Sequence, residues 1–197
     1  MKEPELNYDI KLTYKAEWWR YFGEYEFCVD FIFKSLAGGE ITGLSLPLAY
    51  LIRHTLELGY KMNLLELEKV SDLKAKIEYK GKSAHRIEDL HREFESQMTA
   101  IFKKYDADKD IIKQFKKLNS KLTYLNKQFH KIDELSYAFR YPVKNDGTTP
   151  NFDAKSFEDK KDVINFKDIK ELYNDSILLI KYSTDVVNDI IKISENK

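Results

Sequence analysis

Between Ile111 and Phe139 the side chains Ile111, Phe115, Leu118, Leu122, Leu125, Phe129, Ile132, Ser136 and Phe139 recur in alternating steps of four and three. All but Ser136 are apolar. That spacing returns each side chain to one face of a helix. It predicts a rod of about four heptads, roughly 45 Å long. The rod ends near Arg140, because Pro142 disfavours helical backbone at Tyr141. Such a seam has to be covered, either by other helices of the chain or by a second copy.

The rest of the chain supplies covering helices. Trp18, Phe22, Tyr25, Val29 and Phe33 mark a helix over about 15–36, ended by Gly38-Gly39. Ser45 reads as an N-cap with Pro47 in the first turn. The helix it opens runs to about Leu67 through Leu48, Leu51, Ile52, Leu56 and Met62. A Lys-rich link, 71–82, leads to a third helix opened by Ser83 or His85 and carried by Ile87, Leu90, Phe94, Met98, Ile101 and Tyr105. Asp106 to Asp110 is a break, with Asp108 as the cap of the next helix. It is not a calcium loop: Ile111 stands where the turn needs glycine, and Lys117 where the loop needs its closing Glu. Asn145-Asp146-Gly147 signals a tight turn, hence a small hairpin from Tyr141 to Phe152 within a polar loop reaching about 157. A last helix spans about 166–193 through Ile169, Leu172, Tyr173, Ile177, Ile180, Val187 and Ile190. Seven Gly and four Pro in 197 residues disfavour a turn-rich all-β fold. The expectation is an all-α, antiparallel bundle of about five helices forming one domain, 1–197.

Charge narrows the function classes. Lys+Arg and Asp+Glu are both 33, so a globally basic surface is excluded and any anion site must be local. A single cysteine, Cys28, rules out an internal disulfide and a Cys-based zinc site. Apolar runs are too short for a membrane helix, and Met1-Lys2-Glu3-Pro4-Glu5 lacks a signal sequence, so the chain reads as cytoplasmic. Four His (54, 85, 91 and 130) are too scattered for a metal centre, and no phosphate-cradling glycine loop, HExxH or nucleophile elbow is present. No cofactor is expected.

Three stretches stand out. Arg53, Glu57 and Lys61 are four apart and line one helix face. They read either as an exposed salt-bridge ladder or as a buried, paired network with an Arg suited to phosphate. Only five Arg occur against 28 Lys, so each Arg is the more specific choice. Arg86 and His91 have the Arg-x4-His spacing of one class of metal-independent ribonuclease, in which His transfers the proton and Arg stabilises phosphate charge. The alternative is a capping His85 and a solvated face. Third, Arg140 in Tyr137-Ala138-Phe139-Arg140-Tyr141-Pro142 sits where a helix C-terminus favours a cation.

Together these stretches resemble the HEPN family (higher eukaryotes and prokaryotes nucleotide-binding). Thr55 to Leu65 is similar to the family's A-x-E-x-x-x-K-A-L-L-like helix core, with Glu57 and Lys61 matching. His85-Arg86-Ile87-Glu88-Asp89-Leu90 is a looser version of H-D-L-x-x-L, and Tyr137 to Pro142 matches Y-x-x-R-Y-P. Order and spacing agree over about 45–145. The resemblance implies a four-helix core and a place in a toxin–antitoxin or antiphage-defence type system. It implies a nucleotide-, RNA- or protein-binding module with Arg53, Glu57, Lys61, His85 and Arg140 lining a polar groove. The partner would be RNA, a nucleotide or a protein encoded nearby. The alternatives are a metal-independent endoribonuclease using Arg86 and His91, and an assembly subunit. A homodimer is expected, with the fourth helix offering a seam.

Overall fold

Helix α2, Ser45–Ser71, is the axis of the fold. Its apolar residues do not keep to one stripe. Leu48, Ile52, Leu56 and Leu64 are buried, and so are Arg53, Thr55, Glu57, Lys61 and Asn63. A helix buried on nearly every side must lie inside a bundle. The computed structural model describes residues 17–36, 42–77, 79–81, 83–152 and 165–196. Among them are five α-helices and no strand: α1 (Trp18–Ser35), α2, α3 (Ile87–Lys104), α4 (Lys109–Ile132) and α5 (Phe166–Glu195). They form an all-α, antiparallel bundle in which α1, α3 and α5 pack on α2, and α4 packs on α3 and α5.

Close contact along α2 is set by small and polar residues. A Cβ on Gly59 would collide with the Ile180 side chain of α5 and the Phe22 ring of α1. Glycine is required here for close approach, not for backbone freedom. One turn on, Asn63 Nδ2 donates to the carbonyls of Gly59 (2.9 Å) and Ile180 (2.7 Å), while its Oδ1 accepts from Thr184 (3.2 Å). The amide thus satisfies itself while tying α2 to α5.

Caps follow the sequence in part. Asp108 caps α4, its carboxylate accepting from the Asp110 amide at 2.7 Å. Asn165 caps α5 in the same way. Ser45 is instead the first residue of α2, which follows a 3-10 turn, Thr42–Leu44. A second 3-10 turn, Ser83–His85, leaves Arg86 extended at the N-cap of α3. Gly38-Gly39 lies outside the described residues; α1 ends at Ser35.

The longest expected helix is shorter than its pattern. α4 stops at Ile132, about two turns before Arg140. The Asp133 carboxylate accepts the backbone N–H groups of Tyr137 (2.6 Å) and Ala138 (3.0 Å), and Ser136 takes a left-handed φ of 59°. A short acidic side chain has outcompeted the helical ladder for those amides. Phe139 stays in step because the chain folds back and sets its ring edge-on to Phe129, 6.0 Å between centres. Most of the seam is core: Phe115, Leu122, Leu125 and Phe129 are buried within this one chain, while Ile111 and Leu118 are half-buried.

The expected hairpin reduces to one antiparallel bridge, Val143 with Pro150. Its turn is closed by Lys144 N–H to Thr149 O (2.7 Å) and Gly147 N–H to Lys144 O (2.9 Å), with Gly147 at φ 76°. The Thr149 hydroxyl, followed by the amides of Thr148 and Thr149, donates to the Asp146 carboxylate and lowers its pKa to about 2.

Candidate functional site: a groove above a buried ionic lattice

Arg53 is fully buried, at 0% exposure. A lone charge there would be prohibitive, and the surroundings answer it with acceptors. Nε donates to Asp133 O (2.9 Å), and Nη2 donates to His85 O (2.5 Å) and Glu134 O (3.1 Å). Nη1 lies 3.5 Å from Glu57 Oε2. One guanidinium therefore joins α2, the turn before α3 and the turn after α4. A planar fork of donors is suited to three carbonyls in a way that an ammonium is not.

Glu57 is the other centre. Its Oε1 accepts from Lys61 Nζ at 2.8 Å and lies 2.9 Å from His85 Nδ1. Burial pushes this carboxyl up; the hydrogen bond and charge of Lys61, with His85, pull harder and leave it below its ordinary value. The carboxylate is ionised at neutral pH, so His85 presents Nδ1–H to it and keeps Nε2 for solvent or a ligand. The His85 side chain is 42% exposed. Lys61 is nearly buried, with the Tyr79 ring 5.9 Å from its ammonium.

Arg140 lies at the edge of this cluster and is exposed. Its Nε donates to Ser136 O (2.6 Å), and its guanidinium carbon is 5.7 Å from the centre of the Tyr50 ring and 5.4 Å from that of Tyr141. Tyr50 in turn stacks on His54, at 5.4 Å and 10°, and Tyr25 of α1 meets His54 edge-on. Burial lowers the His54 pKa.

His85 and Arg140 both line one groove of about 790 Å³, together with Lys131, Asp133, Glu134 and Lys144. The acids of this groove are already engaged: Asp133 by backbone amides, Glu134 by Arg86 (3.1 Å), Asp146 by the turn it holds. Among the described residues no carboxylate pairs with Lys131, Arg140 or Lys144. Lys131, Arg140 and Lys144 thus line the groove beside three carboxylates without pairing to them, in a chain of zero net charge. Among the described residues no group of three His, Cys, Asp or Glu side chains is placed to hold a metal.

Of the residues singled out from the sequence, Arg53, Glu57, Lys61 and His85 meet directly and Arg140 flanks them. Arg53, Glu57 and Lys61 form a floor and only His85 and Arg140 reach the groove. Arg86 and His91 are not brought together. Arg86 pairs with Asp89 (3.2 Å) and Glu134 at the surface. His91 points into the core, its Nε2 2.8 Å from Asn119 Oδ1 and its ring 5.7 Å from Tyr60, with burial lowering its pKa. Arg86 is the extended N-cap residue of α3, whereas His91 is on the buried face of the helix. Lys131, Lys144 and Asp133 escaped the sequence reading. Nothing distinguishes two lysines among 28, whereas an Asp followed by Ser136 at the end of an apolar pattern was a usable sign of a helix stop. Compared with known proteins, the chain matches no protein-family model, no curated protein and no solved structure.

Proposed function

We propose that this chain is a HEPN-like binding module that takes a phosphate-bearing ligand, a nucleotide or single-stranded RNA, in the groove between His85 and Arg140. The observation that carries the reading is the rim of three cations, Lys131, Arg140 and Lys144, which pair with no carboxylate among the described residues, above a lattice whose own charges are already paired. Arg140 has its terminal nitrogens available for a bidentate phosphate contact, and the two lysines add point charges. Tyr137, which lines the groove 4.5 Å from Tyr141, adds a ring on which a base can stack. The meeting of the three motif stretches at one place supports the HEPN-like kinship, and with it a role as the binding partner in a toxin–antitoxin or antiphage-defence type system.

The test is an anisotropy titration with fluorescent single-stranded RNA and with a fluorescent nucleoside triphosphate, at low and high salt. Binding should weaken in Arg140→Ala and Lys144→Ala, and each lost cation should lower the salt slope for RNA by about 0.7. Affinity for both probes unchanged in the two variants would overturn the reading. One observation favours a second reading, that of a metal-independent endoribonuclease: Glu57 holds the His85 ring with one nitrogen turned to the groove, the arrangement of an oriented general base. RNA cleavage in EDTA that is lost in His85→Ala would establish it. Cleavage lost only in His91→Ala would return the chemistry to the Arg86–His91 pair.

A further inference from the structure

The outward face of α4 is a row of lysines. Lys109, Lys113, Lys116, Lys127 and Lys131 return to one side of the helix, and all are exposed. Ser120 and Tyr124, also exposed, fill the gap between Lys116 and Lys127. The row lies opposite the apolar seam and spans about 33 Å. The whole helix carries seven lysines and one acid, Asp110. Lys121 is held by Asp175 of α5; among the described residues no carboxylate pairs with the other six. Elsewhere surface lysines are balanced within their own helix, as Lys34 is by Asp30, Lys69 by Glu66 and Lys192 by Asp189. Like charges three and four apart destabilise a helix, and Lys109 adds a cation at its positive end. The row is thus an unbalanced concentration of charge in a chain whose net charge is zero.

We propose that this face is a track for the sugar–phosphate backbone of a single RNA strand, which runs along the lysines and enters the groove at Lys131. Lys131 belongs to both surfaces: it is the last lysine of the row and it lines the groove. The proposal rests on the reading of the groove as a phosphate site, and it selects the strand over the single nucleotide, because a nucleotide in the groove does not reach the row. Ammonium groups spaced along a rigid rod suit a repeating phosphate. Each contact releases condensed counterions and reads no base. Tyr124, 55% exposed within the row, offers its ring to an unpaired base. The α5 border is acidic at this point, where Asp168, Glu171 and Asp175 line a hollow with Tyr124 and Lys121. Those carboxylates repel a backbone and hold it to the lysine side. An anionic membrane fits less well: a helix lying on lipid inserts an apolar face, and this face has only the Tyr124 ring.

Anisotropy titrations of the full chain with a labelled oligouridylate of about 12 nucleotides and with a fluorescent nucleoside triphosphate test it. In the triple variant Lys113→Ala, Lys116→Ala, Lys127→Ala the RNA should bind more weakly, and the salt slope should fall by about 2, at about 0.7 for each lost contact. Affinity for the nucleoside triphosphate should hold, and so should the thermal midpoint. A control, Lys34→Ala, Lys69→Ala, Lys192→Ala, removes the same charge from paired lysines and should leave the slope as it is. RNA affinity and slope unchanged in the α4 variant would overturn the track; with binding still lost in Arg140→Ala, the groove alone would stand. The reverse pattern would leave the track and remove the groove. An equal loss in the control would reduce the effect to net charge and overturn the track. So would a duplex of the same length that binds more tightly through the same lysines. Vesicles of phosphatidylserine that need these lysines when the RNA does not would give the face to a membrane instead.

Discussion

Arg53 and Arg140 are two of only five arginines in the chain, and they stand on the floor and on the rim of the same groove. On the floor the guanidinium is surrounded by three carbonyls and a carboxylate and holds three segments in register. On the rim it bonds one carbonyl, lies against two tyrosine rings and leaves its terminal nitrogens to solvent. The chemistry of the group is the same in both places. Its role is set by whether the fold or the solvent supplies its acceptors, so the two arginines should respond to substitution in opposite ways.

Arg53→Ala is expected to have the largest effect. It orphans three carbonyls and leaves Glu57 short of a cation in the interior. A loss of about 3–5 kcal/mol is expected, measured by urea unfolding. Arg53→Lys should also lose stability, because an ammonium cannot span the same acceptors. A loss under about 1 kcal/mol in both would show that the floor is not what joins the segments.

The two helical glycines sharpen the same contrast between inside and outside. Gly59→Ala drives a methyl into Ile180 and Phe22 and should cost about 1–3 kcal/mol. Gly23→Ala meets nothing within 4 Å among the described residues and should stabilise the monomer by up to about 1 kcal/mol. Thermal melts at low concentration separate the two by sign alone.

Acid acts on the interior through two buried histidines and a buried carboxylate. His91 and His54 hold pKa values below the ordinary 6.5 because they are buried, so the unfolded chain binds their protons first. Their contribution is complete above pH 6.5 and is lost as pH falls through the lowered values. Glu57, held below its ordinary 4.5, adds a second loss as pH falls further. Urea midpoints taken across this range should therefore decline in two stages, and His91→Gln should flatten the upper one. The smallest stability change is expected for Arg140→Ala, within about 0.5 kcal/mol, although its effect on affinity for the proposed ligand should be the largest of the rim substitutions. A large drop in stability there would merge the rim with the floor.

Much of the fold was legible because helical periodicity is a local property. Core residues of α3 such as Ile87, Leu90, Phe94 and Met98 follow the steps of three and four, and Asp108 announces its cap by type and place. The pattern misled at its far end. Phe139 keeps the seam's step although α4 ends at Ile132, since a chain that folds back can return a ring to the same core as a helix would. Likewise His91, equally at home on a solvated face by its neighbours in sequence, is packed against Tyr60 and Asn119 from two other helices.

By itself the sequence determined the class of fold, the approximate helices and the identity of the scarce groups able to bind anions, because apolar spacing and residue chemistry are written along the chain. Tertiary structure alone decided that Arg53, Glu57 and Lys61 form an interior lattice, that His85 and Arg140 share a groove with Lys131 and Lys144, and that Trp19, Phe27 and Phe31 of α1 are exposed. The physical reason is burial. Whether a charge is solvated, paired or offered to a ligand depends on neighbours far along the chain, 81 positions between Arg53 and Glu134 and 155 between Glu26 and Lys181, and no window along the chain contains them.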